Sequence, residues 1–90
     1  METIFERVKR VIAGVIAVTE KSIVSQASLV EDLGADSLDL VNLTEAIEEE
    51  FSTEGKVLRF PEEVAEEIRS VQQILDFLAK EGFVDGASPR

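Results

Sequence analysis

The 90-residue sequence contains no cysteine, histidine, tryptophan or tyrosine. Without cysteine there is no disulfide framework and no thiol nucleophile. Without histidine the chain lacks the usual general base at neutral pH and the commonest metal ligand. Most routes to self-contained catalysis are closed, and the chain is not expected to be an enzyme. No apolar run approaches the ~20 residues that span a bilayer. Residues 1–6 have neither the basic and apolar regions of a signal peptide nor the composition of a transit peptide. The expectation is a soluble protein of a reducing compartment, the cytoplasm. Ninety residues hold one core rather than two, so residues 1–84 are read as a single domain and residues 85–90 as a flexible tail.

Basic residues are scarce where acidic ones gather. The chain has 19 acidic and 9 basic residues, a formal net charge of −10. Such a protein is repelled by nucleic-acid phosphates and anionic membranes and attracted to basic protein surfaces. Residues 31–55 hold nine acids and no base, while residues 1–30 hold three acids and four bases. An acidic run is ordinarily a solvated helix face. This one contains the most distinctive stretch of the chain.

Hydrophobic residues make up 44% of the sequence, enough for a packed core. Four helices are predicted. Residues 3–17 carry Ile4, Val8, Val11, Ile12 and Val15 at helical spacing, and Thr3 and Glu6 have the spacing of a capping box. Residues 18–35 form a long connection, with Ile23, Leu29, Val30 and Leu33 expected to anchor it on the core. The second helix starts near Asp36 or Ser37, buries Leu40, Leu43, Ile47 and Phe51, and ends on Glu48, Glu49 and Glu50. Those three carboxylates oppose the helix dipole. A short third helix covers residues 61–68, with Pro61 in its first turn. The fourth begins after Ser70, with Gln73 at capping-box spacing, buries Val71, Ile74, Leu75 and Leu78, and has Gly82 as its C-cap. The fold class is all-α: a small four-helix bundle with a long loop between the first two helices.

The stretch from Asp32 through Leu33, Gly34, Ala35, Asp36, Ser37, Leu38 and Asp39 places a serine at a helix N-terminus after a glycine turn. Free N–H groups and partial positive charge there suit an attached phosphate. By itself Ser37 could equally be a second capping residue beside Asp36. It is no triad nucleophile, since the chain has no histidine to activate it. An EF-hand spacing is absent from the acidic residues, which leaves at most loose divalent binding.

This stretch, with Ala46-Ile47-Glu48-Glu49-Glu50-Phe51 downstream and Glu6-Arg7-Val8-Lys9 upstream, resembles the acyl carrier protein family over residues 3–80. The resemblance implies that Ser37 is esterified with 4′-phosphopantetheine by a phosphopantetheinyl transferase. It implies that Asp36 supports this modification and that the arm's thiol carries acyl groups as thioesters. The partners implied are acyl-transferring, condensing and modifying enzymes with basic docking patches, met by a monomer. Leu38, Asp39, Val41, Glu45, Glu48 and Glu49 are the candidate partner contacts. Leu29, Val30, Ile47, Ala65, Ile68 and Ile74 are the candidate acyl-pocket residues. The pathway implied is fatty-acid biosynthesis or a specialised lipid or polyketide route. The alternative is an unmodified acidic interaction module or scaffold on the same fold.

Some positions depart from the family pattern. Asn42 stands where an acid is common, Glu45 where an apolar residue is common, and Ile74 where an alanine is common. Residues 55–60, Gly-Lys-Val-Leu-Arg-Phe, lengthen the connection between the second and third helices. They are either a tolerated loop insertion or a segment that contacts a dedicated partner or covers the acyl site.

Overall fold

The computed structural model describes residues 3–52 and 57–83. The expected tail at 85–90, and Gly55 and Lys56 of the lengthened connection, lie outside the described residues.

Helix α1 spans Ile4–Ile16. Its start is set by reciprocal bonds: the Glu6 N–H donates to the Thr3 hydroxyl at 3.0 Å and the Thr3 N–H to the Glu6 carboxylate at 2.8 Å. The bond from the Thr3 backbone is the largest influence on Glu6 and holds its carboxyl below the ordinary value. The helix ends one residue sooner than expected. Ala17 turns into the left-handed region at φ 65°, and its N–H closes on the Ala13 carbonyl. Val8 and Ile12 are fully buried on the inward face.

The connection from α1 to α2 contains one 3-10 turn at Glu20–Ser22 and is tied down along its length. Ile23, Ala27, Leu29, Leu33 and Ala35 are buried. Val30 was expected to share that role, but it is 41% exposed. It follows Leu29 directly, and the backbone that sends Leu29 inward sends its neighbour out. Among the described residues a single antiparallel bridge pairs Ser28 with Ser70. Beside it, the Leu29 N–H donates to the Arg69 carbonyl at 2.8 Å and the Val71 N–H to the Ala27 carbonyl at 3.1 Å. Backbone of the long loop is thus satisfied by backbone of the α3–α4 junction.

Helix α2 spans Ser37–Phe51, α3 spans Glu62–Glu67, and α4 spans Val71–Lys80. Pro61 is the N-cap of α3 rather than its first helical residue. Ser70 and Gln73 form the expected capping box of α4, and Gly82 lies just beyond that helix at φ 96°. There a side chain would be strained, which suits glycine. Across the middle of the bundle Leu43, Ile47 and Phe51 of α2 meet Val8 and Ile12 of α1 and Val71, Ile74 and Leu78 of α4 in one core. Full burial of such side chains contributes roughly 1.5–3 kcal/mol each. No polar or charged residue is buried among the described residues.

Residues 57–60 are not a passive insertion. Leu58 and Phe60 belong to the core, 1% and 9% exposed, and the Phe60 ring stacks on Phe77 of α4 with centroids 4.6 Å apart. Val57, by contrast, is exposed.

The acidic C-terminal end of α2 is compensated from α1. Arg7 Nε and Arg10 Nη2 each lie 2.9 Å from Glu50 Oε2. A second Arg7 nitrogen donates to the Glu50 carbonyl at 2.9 Å, and its guanidinium lies 4.2 Å from the centre of the Phe51 ring. Burial would raise the Glu50 carboxyl, but the hydrogen bonds and charges of Arg7 and Arg10 outweigh it and hold the group below its ordinary range.

Candidate functional site

The N-terminus of α2 is built by two aspartates and a glycine. Gly34 has φ 78°, a left-handed turn that delivers the chain to Asp36. Buried Ala35 pins the entry, its N–H donating to the Leu29 carbonyl at 2.9 Å. Asp36 Oδ1 then accepts the Asp39 N–H at 2.8 Å, and Asp39 Oδ2 accepts the Asp36 N–H at 3.2 Å. This reciprocal cap fixes Ser37 as the first residue of the helix. Ser37 is exposed. Its hydroxyl sits at the end of a four-turn helix where the dipole is positive and backbone donors are only partly used within the helix.

Beside Ser37 lies a cleft of about 670 Å³ between α2 and α3. Leu40, Val41 and Thr44 of α2 form one wall. Ala65 of α3 forms the apolar part of the other, and Glu62, Glu66, Glu67 and Arg69 edge it. Leu38 and Val41, 65% and 53% exposed, flank Ser37 as two of the exposed large hydrophobic side chains of the described residues. They are open to a macromolecular surface rather than folded into the core.

The residues singled out from sequence fall into three places. Asp36, Ser37, Leu38, Asp39 and Val41 lie together at the start of α2, and of these Ser37 and Val41 line the cleft. Glu45 and Glu49 are exposed further along α2, whereas Glu48 is half-buried and its carboxylate accepts the Phe60 N–H at 2.6 Å. Of the six acyl-pocket candidates, Ala65 lines the cleft. Leu29, Ile47, Ile68 and Ile74 are at most 3% exposed within the closed core, and Val30 is on the surface. Sequence reasoning did not single out Thr44, Glu62, Glu66, Glu67 or Arg69 as lining this space. Leu40 was assigned to the buried face of α2. Its place one helical turn beyond Ser37 is the signal that could have found it.

The chemistry available here is that of an accessible hydroxyl at a helix terminus, with carboxylates already engaged in capping. Among the described residues no group of three His, Cys, Asp or Glu side chains is arranged to hold a metal ion. No helix among them is long and apolar enough to cross a membrane. The exposed hydroxyl, the positive helix end and the adjoining cleft with apolar residues Leu40, Val41 and Ala65 in its walls lie side by side. Comparison with protein families gives a match over residues 6–78 to the family described as "phosphopantetheine attachment site".

Proposed function

The chain belongs to the phosphopantetheine attachment family, whose members bind a 4′-phosphopantetheine prosthetic group, and from that premise we propose that Ser37 is the attachment residue. The observation that carries the assignment is the exposed Ser37 hydroxyl at the capped start of α2, opening onto the cleft beside it. The chain is a carrier, and the bound group supplies the thiol that its own sequence lacks.

The protein's residues present this arm. Asp36 and Asp39 hold the helix start rigid through their reciprocal cap, and Asp36 is close enough in sequence to support the modification step. The cleft walls Leu40, Val41 and Ala65 offer apolar surface to an acyl cargo, while the core positions Leu29, Ile47, Ile68 and Ile74 are closed to solvent. Packed interiors accept added volume only at a cost. Leu38 and Val41 provide the apolar centre of a docking surface, and Asp39, Glu45 and Glu49 its acidic rim. Charged rims speed encounter while leaving dissociation rapid, which suits a carrier handing acyl groups between transferring, condensing and modifying enzymes. The cargo is an acyl intermediate of fatty-acid synthesis or of a specialised lipid or polyketide pathway.

Incubation with coenzyme A, magnesium and a broad-specificity phosphopantetheinyl transferase tests the assignment by intact mass. A single phosphopantetheine addition is expected on the wild type and none on Ser37→Ala. An unmodified, folded wild-type protein contradicts the proposal, as does addition that persists in Ser37→Ala.

A further inference from the structure

Helix α3 forms one wall of the cleft, yet little of the helix itself is buried. It has six residues, none of them fully buried, and only Val64 and Ala65 are half-buried. So short a helix gains little from its own hydrogen bonds, and its stability comes from tertiary anchoring. The anchors lie at its ends. On the C-terminal side Ile68 is 3% exposed and the Ser28–Ser70 bridge follows. On the N-terminal side residues 57–61 act as a strap. The Leu58 N–H donates to the Ser52 hydroxyl at 3.0 Å, the Phe60 ring stacks on Phe77, and the Phe60 N–H donates to Glu48 Oε2 at 2.6 Å. Pro61, which caps α3, comes next.

Glu48 belongs to α2, the opposite wall of the cleft. Its carboxylate therefore ties α2 to the segment that leads into α3 through one backbone donor. Glu49, the next residue, is exposed and makes no comparable bridge to the strap among the described hydrogen bonds.

We infer that Glu48 is a positioning residue: by accepting the Phe60 N–H it sets the start of α3 against α2 and fixes the width of the cleft beside Ser37. This deepens the reading of the cleft as the cargo site and rests on that reading. It also gives Glu48 work as a hydrogen-bond acceptor, distinct from work as a surface charge. A glutamine keeps an acceptor oxygen at the same reach and removes the charge, while an alanine removes both.

Amide hydrogen exchange on the full chain, without the arm, compares wild type, Glu48→Gln and Glu48→Ala. The reporters are the Ala65 and Ile68 N–H groups, which donate to Pro61 and Val64. Expected is a tenfold or greater acceleration at both in Glu48→Ala, with the Ile12 and Leu43 amides of α1 and α2 within twofold. Glu48→Gln should stay within threefold of wild type throughout. Equal acceleration in both variants would overturn the inference, because charge would then be what matters. No change in either, or acceleration of all helices together, would overturn it too. A second readout uses octanoyl-loaded protein: hydroxylamine should cleave the thioester severalfold faster in Glu48→Ala and at the wild-type rate in Glu48→Gln. A wild-type rate in Glu48→Ala overturns the link to the cleft. Failure of the arm to attach at Ser37 overturns the function proposed above, while the exchange result still decides the strap.

Discussion

Replacing Arg7 with alanine should cost the fold far more than removal of a surface charge. The guanidinium makes three separate contacts at the end of α2: the Glu50 carboxylate at 2.9 Å, the Glu50 carbonyl at 2.9 Å and the Phe51 ring at 4.2 Å. A hydrogen bond involving a charged group contributes roughly 1.5–3 kcal/mol. A cation over an aromatic face adds about 0.5–1 kcal/mol at an exposed site. The Arg7 and Glu50 side chains keep 31% and 25% of their exposure, so water screens part of this. Arg10 also still holds Glu50 when Arg7 is gone. Those two discounts bring the expected loss to about 2 kcal/mol. For a domain of this size that lowers the melting temperature by about 8–16 °C. Urea and thermal unfolding followed by circular dichroism measure both. Arg7→Lys should recover about half of the loss, since one ammonium cannot serve carboxylate and carbonyl with the same fork. Lys21→Ala, an exposed residue of the 3-10 turn, changes net charge equally and should move stability by less than ~0.5 kcal/mol. If Arg7→Ala and Lys21→Ala proved equally damaging, the loss would be general charge repulsion, and the local geometry would be irrelevant.

Two further outcomes follow from the backbone and from titration. Ala17→Gly should stabilise the protein by about 0.5–1 kcal/mol, because Ala17 holds a left-handed φ of 65° that disfavours a Cβ; a lower melting temperature for the glycine variant would contradict this. Glu50 titrates below its ordinary value of 4.5 when folded, so its contribution is present above that pH and fades as pH falls through the lowered folded value. The stability gap between wild type and Glu50→Gln should therefore be full at pH 6 and shrink steadily below about pH 4.5, as read from urea midpoints; a gap that widened on acidification would refute the ion-pair account.

The helix starts were legible because capping is short-range chemistry. Thr3 with Glu6, Asp36 with Asp39 and Ser70 with Gln73 sit three residues apart in sequence and bond as that spacing predicts. The place of Ser37 as the first residue of α2 was legible for the same reason, whereas its reading as an attachment residue came from the family resemblance. The apolar anchors of the long connection, Ile23, Leu29 and Leu33, were legible as core residues, but the polar contacts between distant segments escaped. Glu50 read as one of three unfavourable charges at a helix end, yet it meets Arg7 and Arg10, some forty residues earlier. Glu48 read as a docking charge, yet it holds the backbone of Phe60 twelve residues on. Leu58 and Phe60 read as loop because their stretch has no helical period, but apolar side chains without periodicity still find a core if the chain around them bends inward. The acyl-pocket candidates follow positions that the family resemblance implies, and Leu29, Ile47, Ile68 and Ile74 are closed to solvent while Ala65 lines the cleft. The open space lies at the seam between α2 and α3, which only packing reveals.

The two ends of α2 are treated unequally. At the far end two arginines sit on Glu50, whereas around Ser37 the cleft is edged by Glu62, Glu66 and Glu67 with Arg69 as its single base. The carboxylates around the cleft are thus largely left to face outward. A positively charged surface drifting nearby is pulled toward those carboxylates before any atoms touch. On the reading of Ser37 as the attachment residue, a brief collision would then begin on the side of the molecule where the serine lies.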